Sequence, residues 1–130
     1  IEYTTYFLNS GSATASNVKI CDRLFTKREF KPGVYGGTGK DVELWLGSNP
    51  VQYLTSANDP LVDRTQFYTP SAVVPTTCNL TGTNTDGTVV LDLTGTAGTG
   101  NPAIINMPFA TGQGAPNNSY GYFRYRAIVK

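Results

Sequence analysis

The chain closes with Ser119-Tyr120-Gly121-Tyr122-Phe123-Arg124-Tyr125-Arg126-Ala127-Ile128-Val129-Lys130, a stretch in which two kinds of residue alternate. Alternation with a period of two is typical of a β-strand that buries one face. The residues predicted to face the core are Phe123, Tyr125, Ala127 and Val129. Arg124 and Arg126 then face water. The chain therefore ends in a long strand.

Other segments share this pattern or the β-branched and aromatic composition of strands. They are residues 1–8, 15–22, 41–46, 51–54, 65–68 and 88–93. Asp86-Gly87 precedes the last of them and is the signal of a tight hairpin. No segment has a helical period, so the sequence predicts an all-β, antiparallel two-sheet β-sandwich of Greek-key type. The predicted core contains Val18, Ile20, Leu44, Leu91, Phe123 and Tyr125.

Length and composition agree with a single domain over residues 1–130. The chain has a mass of 14.0 kDa and contains 18 Thr, 14 Gly, 10 Asn and 8 Pro, residues suited to strands and turns. Its formal net charge is +1, with no cluster of Lys or Arg. We therefore expect no nucleic-acid partner. No run of 18 apolar residues is present, so we expect no membrane span.

The absence of histidine excludes several enzyme classes, because Ser/His/Asp triads, Cys/His pairs and His-ligated zinc all need imidazole. The chain's two cysteines cannot form a four-cysteine metal site. A Gly-Gly-Thr-Gly-Lys run at 36–40 lacks the spacing of a phosphate-binding loop. We expect no enzymatic activity and no cofactor.

Both ends of the chain resemble a bacterial surface repeat. Residues 2–11 read Glu-Tyr-Thr-Thr-Tyr-Phe-Leu-Asn-Ser-Gly, residues 15–22 read Ala-Ser-Asn-Val-Lys-Ile-Cys-Asp, and residues 118–127 follow a similar pattern. This is similar to the "domain of unknown function 11" (conserved repeat domain) family. The resemblance implies an immunoglobulin-like fold in a secreted or cell-surface protein without typical enzymatic activity. Asp22-Arg23-Leu24-Phe25 lacks the Leu-Pro that commonly follows Asp in the family, so the loop after the second strand is expected to differ.

Cys21 and Cys78 are separated by 57 positions, and no third cysteine competes for either. The sequence predicts an intrachain disulfide between them, the alternative being two buried thiols. A disulfide indicates an oxidising, extracellular compartment.

Other candidate sites are weaker. Asp59 and Asp63 could offer oxygen ligands to Ca²⁺, but Arg64 competes for them and a solvated turn is preferred, so no metal site is predicted. Asn79 and Asn117 match the N-glycosylation pattern, which chance also produces in a chain rich in Asn and Thr.

Two sets of side chains raise further hypotheses. The carboxylates that could act as an acid/base pair on glycosides are Glu2, Asp22, Glu29, Asp41 and Glu43, and their spacing selects no pair. The aromatic residues that could form a sugar-binding platform are Tyr3, Tyr6, Trp45, Tyr120 and Tyr122. Half-buried strand aromatics are the alternative explanation of this second set.

Strand-like sequence reaches both ends of the printed chain, which suggests that a neighbouring copy extends the sheet there. The residues predicted to pair between copies are Ile1, Tyr3, Thr5, Phe7, Tyr122, Arg124, Arg126 and Ile128. The sequence thus favours a non-enzymatic structural subunit of an extracellular surface assembly, with other copies of itself as partner in a head-to-tail, pilus-like fibre. The alternatives are a passive spacer or an adhesive, glycan-binding repeat of a larger surface protein, and a carboxylate hydrolase.

Overall fold

The computed structural model of the chain describes residues 1–47, 50–57, 64–94, 106–113 and 115–130. Within these ranges the regular structure consists of strands and a single turn of 3₁₀-helix at Thr76–Cys78. The strands are β1 (Glu2–Leu8), β2 (Lys19–Arg23), β3 (Arg28–Phe30), β4 (Val42–Leu46), β5 (Gln52–Leu54), β6 (Thr65–Tyr68), β7 (Thr88–Asp92) and β8 (Tyr120–Val129).

The strands form two antiparallel sheets. One has the order β1-β8-β4-β5, with β3 also pairing with β8, and the other has the order β2-β7-β6. β8 is the central strand of the larger sheet, with β1 along one side and β4 followed by β3 along the other. The predicted all-β, two-sheet antiparallel architecture is confirmed.

The core lies between the two sheets and follows the predicted alternation. Phe123, Tyr125 and Ala127 of β8 are buried, while Arg124 and Arg126 between them face outward. The prediction for Val129 is wrong, because this side chain is 59% exposed. Val129 pairs with Arg28 at the outer end of the short β3, beyond the buried part of the strand.

The predicted core residues divide into two groups. Leu44, Leu91, Phe123 and Tyr125 are almost completely buried. Val18 and Ile20 are partly buried and pack against the margin of the same cluster. Val42 and Leu46, two positions before and after Leu44 on β4, are buried as well.

Gly121 allows the close packing of β8 against its neighbours. A Cβ atom at this position would overlap the backbone oxygen of Trp45 and lie 2.8 Å from Cζ of Phe7. β4 and the Phe7 ring therefore occupy the space that any larger residue at position 121 would need.

Three local features differ from the sequence prediction. β2 begins at Lys19, and Ala15 instead forms an isolated bridge with Met107. β3 was not predicted, since three residues are too few to show a period. The tight hairpin predicted at Asp86-Gly87 is wrong: β7 pairs with β6, and the two strands are joined by the long connection 69–87.

Part of this connection, residues 69–84, packs over the outer face of the three-stranded sheet, and we call it the cover segment. Cys21 of β2 and Cys78 lie at disulfide-bonding distance, with Cα atoms 5.6 Å apart, so the predicted pairing is confirmed. Arg23 donates to the carbonyls of Thr81 (2.6 Å) and Gly82 (3.3 Å). Under the cover segment, Val90 of β7 is only 6% exposed although it lies on the outer side of its sheet.

A bilayer-crossing helix would need a long apolar stretch, and the described parts of the chain contain no helix of that kind.

Candidate functional site

The outer face of the five-stranded sheet carries an unusual set of side chains for a surface that faces water. The residues that alternate outward are Glu2, Thr4, Tyr6 and Leu8 of β1, Tyr120, Tyr122, Arg124 and Arg126 of β8, Glu43 and Trp45 of β4, and Tyr53 of β5. The exposed fraction of Tyr6 is 77% and that of Leu8 is 57%. An antiparallel sheet commonly turns polar residues to solvent, so five large aromatic side chains here call for an explanation.

Four of these rings form a continuous aromatic row, which we define as Tyr6, Tyr122, Trp45 and Tyr120. Tyr6 and Trp45 lie directly opposite Tyr122 on its two sides in the strand register. Ring centroids are 5.9 Å apart between Tyr6 and Tyr122, 5.7 Å between Tyr122 and Trp45, and 5.6 Å between Trp45 and Tyr120. The row thus crosses three adjacent strands.

A charged cluster borders the aromatic row. Glu43 is only 4% exposed, accepts a hydrogen bond from the Tyr122 hydroxyl at 3.0 Å and forms an ion pair with Arg124 at 2.6 Å. Glu2 lies 3.4 Å from Arg124 and 2.9 Å from Arg126. Each guanidinium of the cluster therefore has a carboxylate beside it.

These contacts affect the acidity of the groups involved. The hydrogen bond from Arg126, together with the charge of Arg124, holds the pKa of Glu2 below its ordinary value. Burial, with a further contribution from Glu43, raises the pKa of Tyr122. At neutral pH Glu2 is ionised and the Tyr122 hydroxyl keeps the proton that it donates.

Tyr35 closes the other side of the cluster. Its ring centroid lies 5.3 Å from the Arg126 guanidinium and 5.9 Å from that of Arg124, and its hydroxyl donates to Glu2 at 3.3 Å. Burial and the charge of Glu2 raise the pKa of Tyr35 well above its ordinary value. No sequence pattern indicated a role for Tyr35, because it lies in a glycine-rich loop without a period.

β1 forms one edge of the five-stranded sheet. The amino group of Ile1 donates to the Ala127 carbonyl at 2.8 Å, and the Ala127 N–H donates back to Ile1 at 2.9 Å. Backbone groups alternate sides along an antiparallel strand, so the odd-numbered residues of β1 bond to β8. The even-numbered residues point their N–H and C=O groups to the free side, and no described strand pairs there.

The residues predicted to pair between copies need correction. The backbone groups of Ile1, Tyr3, Thr5 and Phe7 are directed at β8. Those of Tyr122, Arg124, Arg126 and Ile128 are directed at β4, at residue 31 or at β3. β8 is an interior strand, so the predicted C-terminal edge is wrong. In β1, the backbone groups that no described strand pairs with belong to Glu2, Thr4, Tyr6 and Leu8.

The structure separates the other candidates. Four of the five predicted platform aromatics meet in the aromatic row, whereas Tyr3 turns inward and stacks on Tyr125 with centroids 5.3 Å apart. Asp41 accepts hydrogen bonds from Gly33 N–H (2.6 Å) and from the N–H and hydroxyl of Ser56 (2.7 Å each), so its carboxylate organises a loop. Glu29 is exposed on β3.

Asp22 lies on the inner side of β2, where Thr5 Oγ1 donates to it at 3.4 Å, and burial raises the pKa of its carboxyl. The structure brings Glu2 and Glu43 to the same guanidinium of Arg124, and Arg126 supplies a second positive charge beside Glu2, so the two carboxylates are balanced by two cations. Among the described residues, no three His, Cys, Asp or Glu side chains are grouped as metal ligands. Asp59 and Asp63 lie outside the described residues.

The 36–40 loop borders a cavity of about 500 Å³ that is lined by Asp41 as well as by glycines. The Lys40 ammonium lies 5.3 Å from the ring centroid of Tyr53. Asn79 is exposed at the end of the 3₁₀ turn, and Asn117 is exposed before β8. N-glycosylation at these positions stays a prediction.

The chain matches no protein-family model, no curated protein and no solved structure. Its function must therefore be inferred from its own residues.

Proposed function

We propose that this chain is a non-enzymatic structural subunit of an extracellular surface assembly, and that it joins other copies of itself by adding a strand to the free side of β1. The observation that carries the proposal is the unprotected edge of β1. In this seven-residue strand, the backbone groups of Glu2, Thr4, Tyr6 and Leu8 pair with no other strand among the described residues. A row of that kind is a template for a further strand.

The other edges of the described sheets are less suited to this role. β5 and β6 have three and four residues. β2 has five residues, and it carries Lys19 and Arg23 and is bonded to the cover segment through Cys21. Short length and charged side chains are the usual protection of an edge. β1 contains no proline and a single charged residue, Glu2.

A fibre places a geometric condition on this contact. If β1 pairs with β1 of a second copy, the contact is two-fold symmetric and closes as a dimer. Growth from copy to copy needs β1 to pair with a different strand of its neighbour, and β5, the shorter edge at the other side of the same sheet, would supply that head-to-tail contact. The disulfide between Cys21 and Cys78 supports the extracellular location, because such bonds persist in oxidising compartments. The resemblance of both chain ends to the surface repeat family is a second support.

The test is Thr4→Pro with Thr4→Ala as its matched control. The Thr4 N–H points to the free side of β1, so proline removes a donor that no described strand of the fold uses, whereas alanine keeps it. We expect the unchanged chain and Thr4→Ala to form fibres in electron micrographs as concentration rises, and Thr4→Pro to stay monomeric with an unchanged circular dichroism spectrum. Fibres of Thr4→Pro would overturn the use of this edge. Monomers of the unchanged chain at every concentration would instead favour a passive spacer.

A further inference from the structure

The aromatic row has a geometry that edge pairing of β1 does not use. Edge pairing consumes backbone groups in the plane of the sheet, whereas the four rings project from the outer face of the sheet. Three of them lie on three successive strands at nearly equal centroid distances of 5.9 and 5.7 Å. The row is therefore a linear surface that crosses the strands.

The rings are held in place before any ligand arrives. The Tyr122 hydroxyl is bonded to Glu43, and the Trp45 ring is packed between Tyr122 and Tyr120. These side chains stand on paired strands rather than on loops. A binding surface that is already ordered loses little conformational entropy when it is occupied.

The charges next to the row match a neutral ligand. Arg124 is paired with Glu43 and Glu2, and Arg126 is paired with Glu2, so the cluster offers neither a free cation nor a free anion. An anionic polymer would need unpaired cations here, and a cationic peptide would need unpaired carboxylates. The Arg124 guanidinium also lies over the Tyr122 ring, 5.5 Å from its centroid. What remains available to a ligand consists of the exposed Tyr6 ring, the outward parts of the half-buried Trp45 and Tyr120 rings, and phenol hydroxyls.

We infer that the aromatic row binds a neutral, linear polysaccharide, with one sugar packed against the exposed Tyr6 ring, which is inclined at 66° to Tyr122, and the following sugars along the outward parts of Tyr122 and Trp45. The C–H face of a pyranose ring packs against an aromatic ring, and its hydroxyl groups accept from and donate to the neighbouring polar side chains. A row of rings at regular intervals fits a chain of sugars better than a single one. This inference is independent of strand pairing at β1, since it uses side chains only.

The experiment is a fluorescence titration of the full chain, because Trp45 is the only tryptophan and belongs to the row. The three probes are hexasaccharides of β-1,4-linked glucose, of β-1,4-linked N-acetylglucosamine and of α-1,6-linked mannose. We expect a saturable change in Trp45 emission with at least one of them. Isothermal calorimetry with the same probe gives the affinity independently of fluorescence.

The informative variant is Tyr6→Ala, because Tyr6 is the most exposed member of the row and its loss does not open the core. Tyr53→Ala is the matched control, since Tyr53 is an exposed tyrosine on the same face but outside the row. We expect Tyr6→Ala to weaken binding about tenfold or more and Tyr53→Ala to change it less than about twofold. Circular dichroism of both variants checks that they fold.

Three results would overturn the inference. The first is the absence of saturable binding with all three probes. The second is an equal loss of affinity in the two variants, which would assign binding elsewhere. The third is self-association through the same face. In that case, Trp45 emission would change with protein concentration in the absence of sugar, a dimer would be seen in sedimentation, and Tyr6→Ala would abolish both. This result would assign the face to a second copy of the chain.

Discussion

The two sheets share one core but differ in what lies on their outer faces. The outer face of the three-stranded sheet is covered by the chain itself: Val90 and Thr88 of β7 are buried beneath the cover segment. The outer face of the five-stranded sheet keeps Tyr6 and Leu8 exposed. Among the described residues, a disulfide-linked segment closes one face and no segment closes the other, and the proposed contact of the aromatic row with a ligand rests on this contrast.

The covered side depends on more than the disulfide. Asn84 is buried and donates to the Thr69 carbonyl at 2.9 Å, and its own oxygen accepts from the Thr88 hydroxyl at 3.0 Å. It therefore links both ends of the cover segment to β7. The open side has a different internal support, the pairing of Glu43 with Tyr122 and Arg124, which orders side chains without covering them.

The largest expected effect comes from releasing the cover segment. The double variant Cys21→Ser with Cys78→Ser removes a link that closes a loop of 57 positions, and we expect the free energy of unfolding to fall by about 4 kcal/mol in the chain-entropy description. Urea denaturation of the variant and of the oxidised parent measures the difference. Reduction of the parent should reproduce it. A loss below about 1 kcal/mol would mean that Asn84 and Arg23 hold the cover segment without the disulfide.

The next effect tests the packing beneath the open face. Gly121→Ala places a methyl group where the Trp45 backbone oxygen and the Phe7 ring already lie, so β8 has to move away from β4 or β1. We expect a loss of about 3 kcal/mol, at the upper end of overpacking effects. Gly112→Ala is the control, because a Cβ there meets no atom within 4 Å. Equal stability of the two variants would show that β8 adjusts without cost.

Sequence reasoning succeeded where the signal was local. The alternation of Phe123 and Tyr125 with Arg124 predicted both the strand and its buried face, and the presence of only two cysteines predicted the disulfide. It failed where strand pairing decides the outcome. Tyr122 and Arg124 were predicted to lie on an edge strand at the end of the chain. In the structure, strands from distant parts of the sequence lie on both sides of β8. The order of strands in a sheet comes from long-range packing, which a period of two does not encode.

The aromatic row likewise combines features that the sequence predicted with features that depend on strand pairing. That Tyr6, Trp45, Tyr120 and Tyr122 are on strands was readable from the sequence, but their meeting in one row depends on the register of β1 and β4 on β8. Tyr3 has the same residue type as Tyr6 and lies on the same strand, but it is three positions away and therefore faces the core, where it stacks on Tyr125. Tyr35 joins the face from a loop, where no period could indicate its direction.

A smaller effect tests the charged support of the aromatic row. Glu43→Gln keeps the shape of the side chain and one acceptor but removes the charge facing Arg124. Hydrogen bonds to charged groups are worth more than neutral ones, so we expect a loss of about 2 kcal/mol in the free energy of unfolding. Trp45 emission should also shift, because Tyr122 loses its fixed position. Glu29→Gln, at an exposed carboxylate of β3, should leave both quantities almost unchanged. A Glu43→Gln protein with unaltered emission would show that packing alone orders the rings.

The smallest expected effect is a difference in pH dependence between two carboxyl groups, that of Asp22 on the inner side of β2 and that of Glu2 on the open face of the five-stranded sheet. Burial raises the folded-state pKa of Asp22 above its ordinary value of 3.8, so between these two pKa values the folded state holds a proton that the unfolded state has released. The free energy of unfolding contributed by Asp22 therefore falls as pH rises through that interval. Asp22→Asn removes this decrease, so the melting temperature of the variant should rise relative to that of the parent as pH rises from acidic to neutral.

The pH dependence expected for Glu2 has the opposite sign. Arg126 lowers the pKa of Glu2 from 4.5, so the stability that Glu2 contributes is present above that value and is lost as pH falls through the folded-state pKa. Glu2→Gln should thus cost stability at neutral pH and little in acid. Melting temperatures of both variants across this pH range test the two expectations. If both variants differed from the parent with the same pH dependence, Asp22 would not lie on the inner side of its sheet or Glu2 would not lie on the open face.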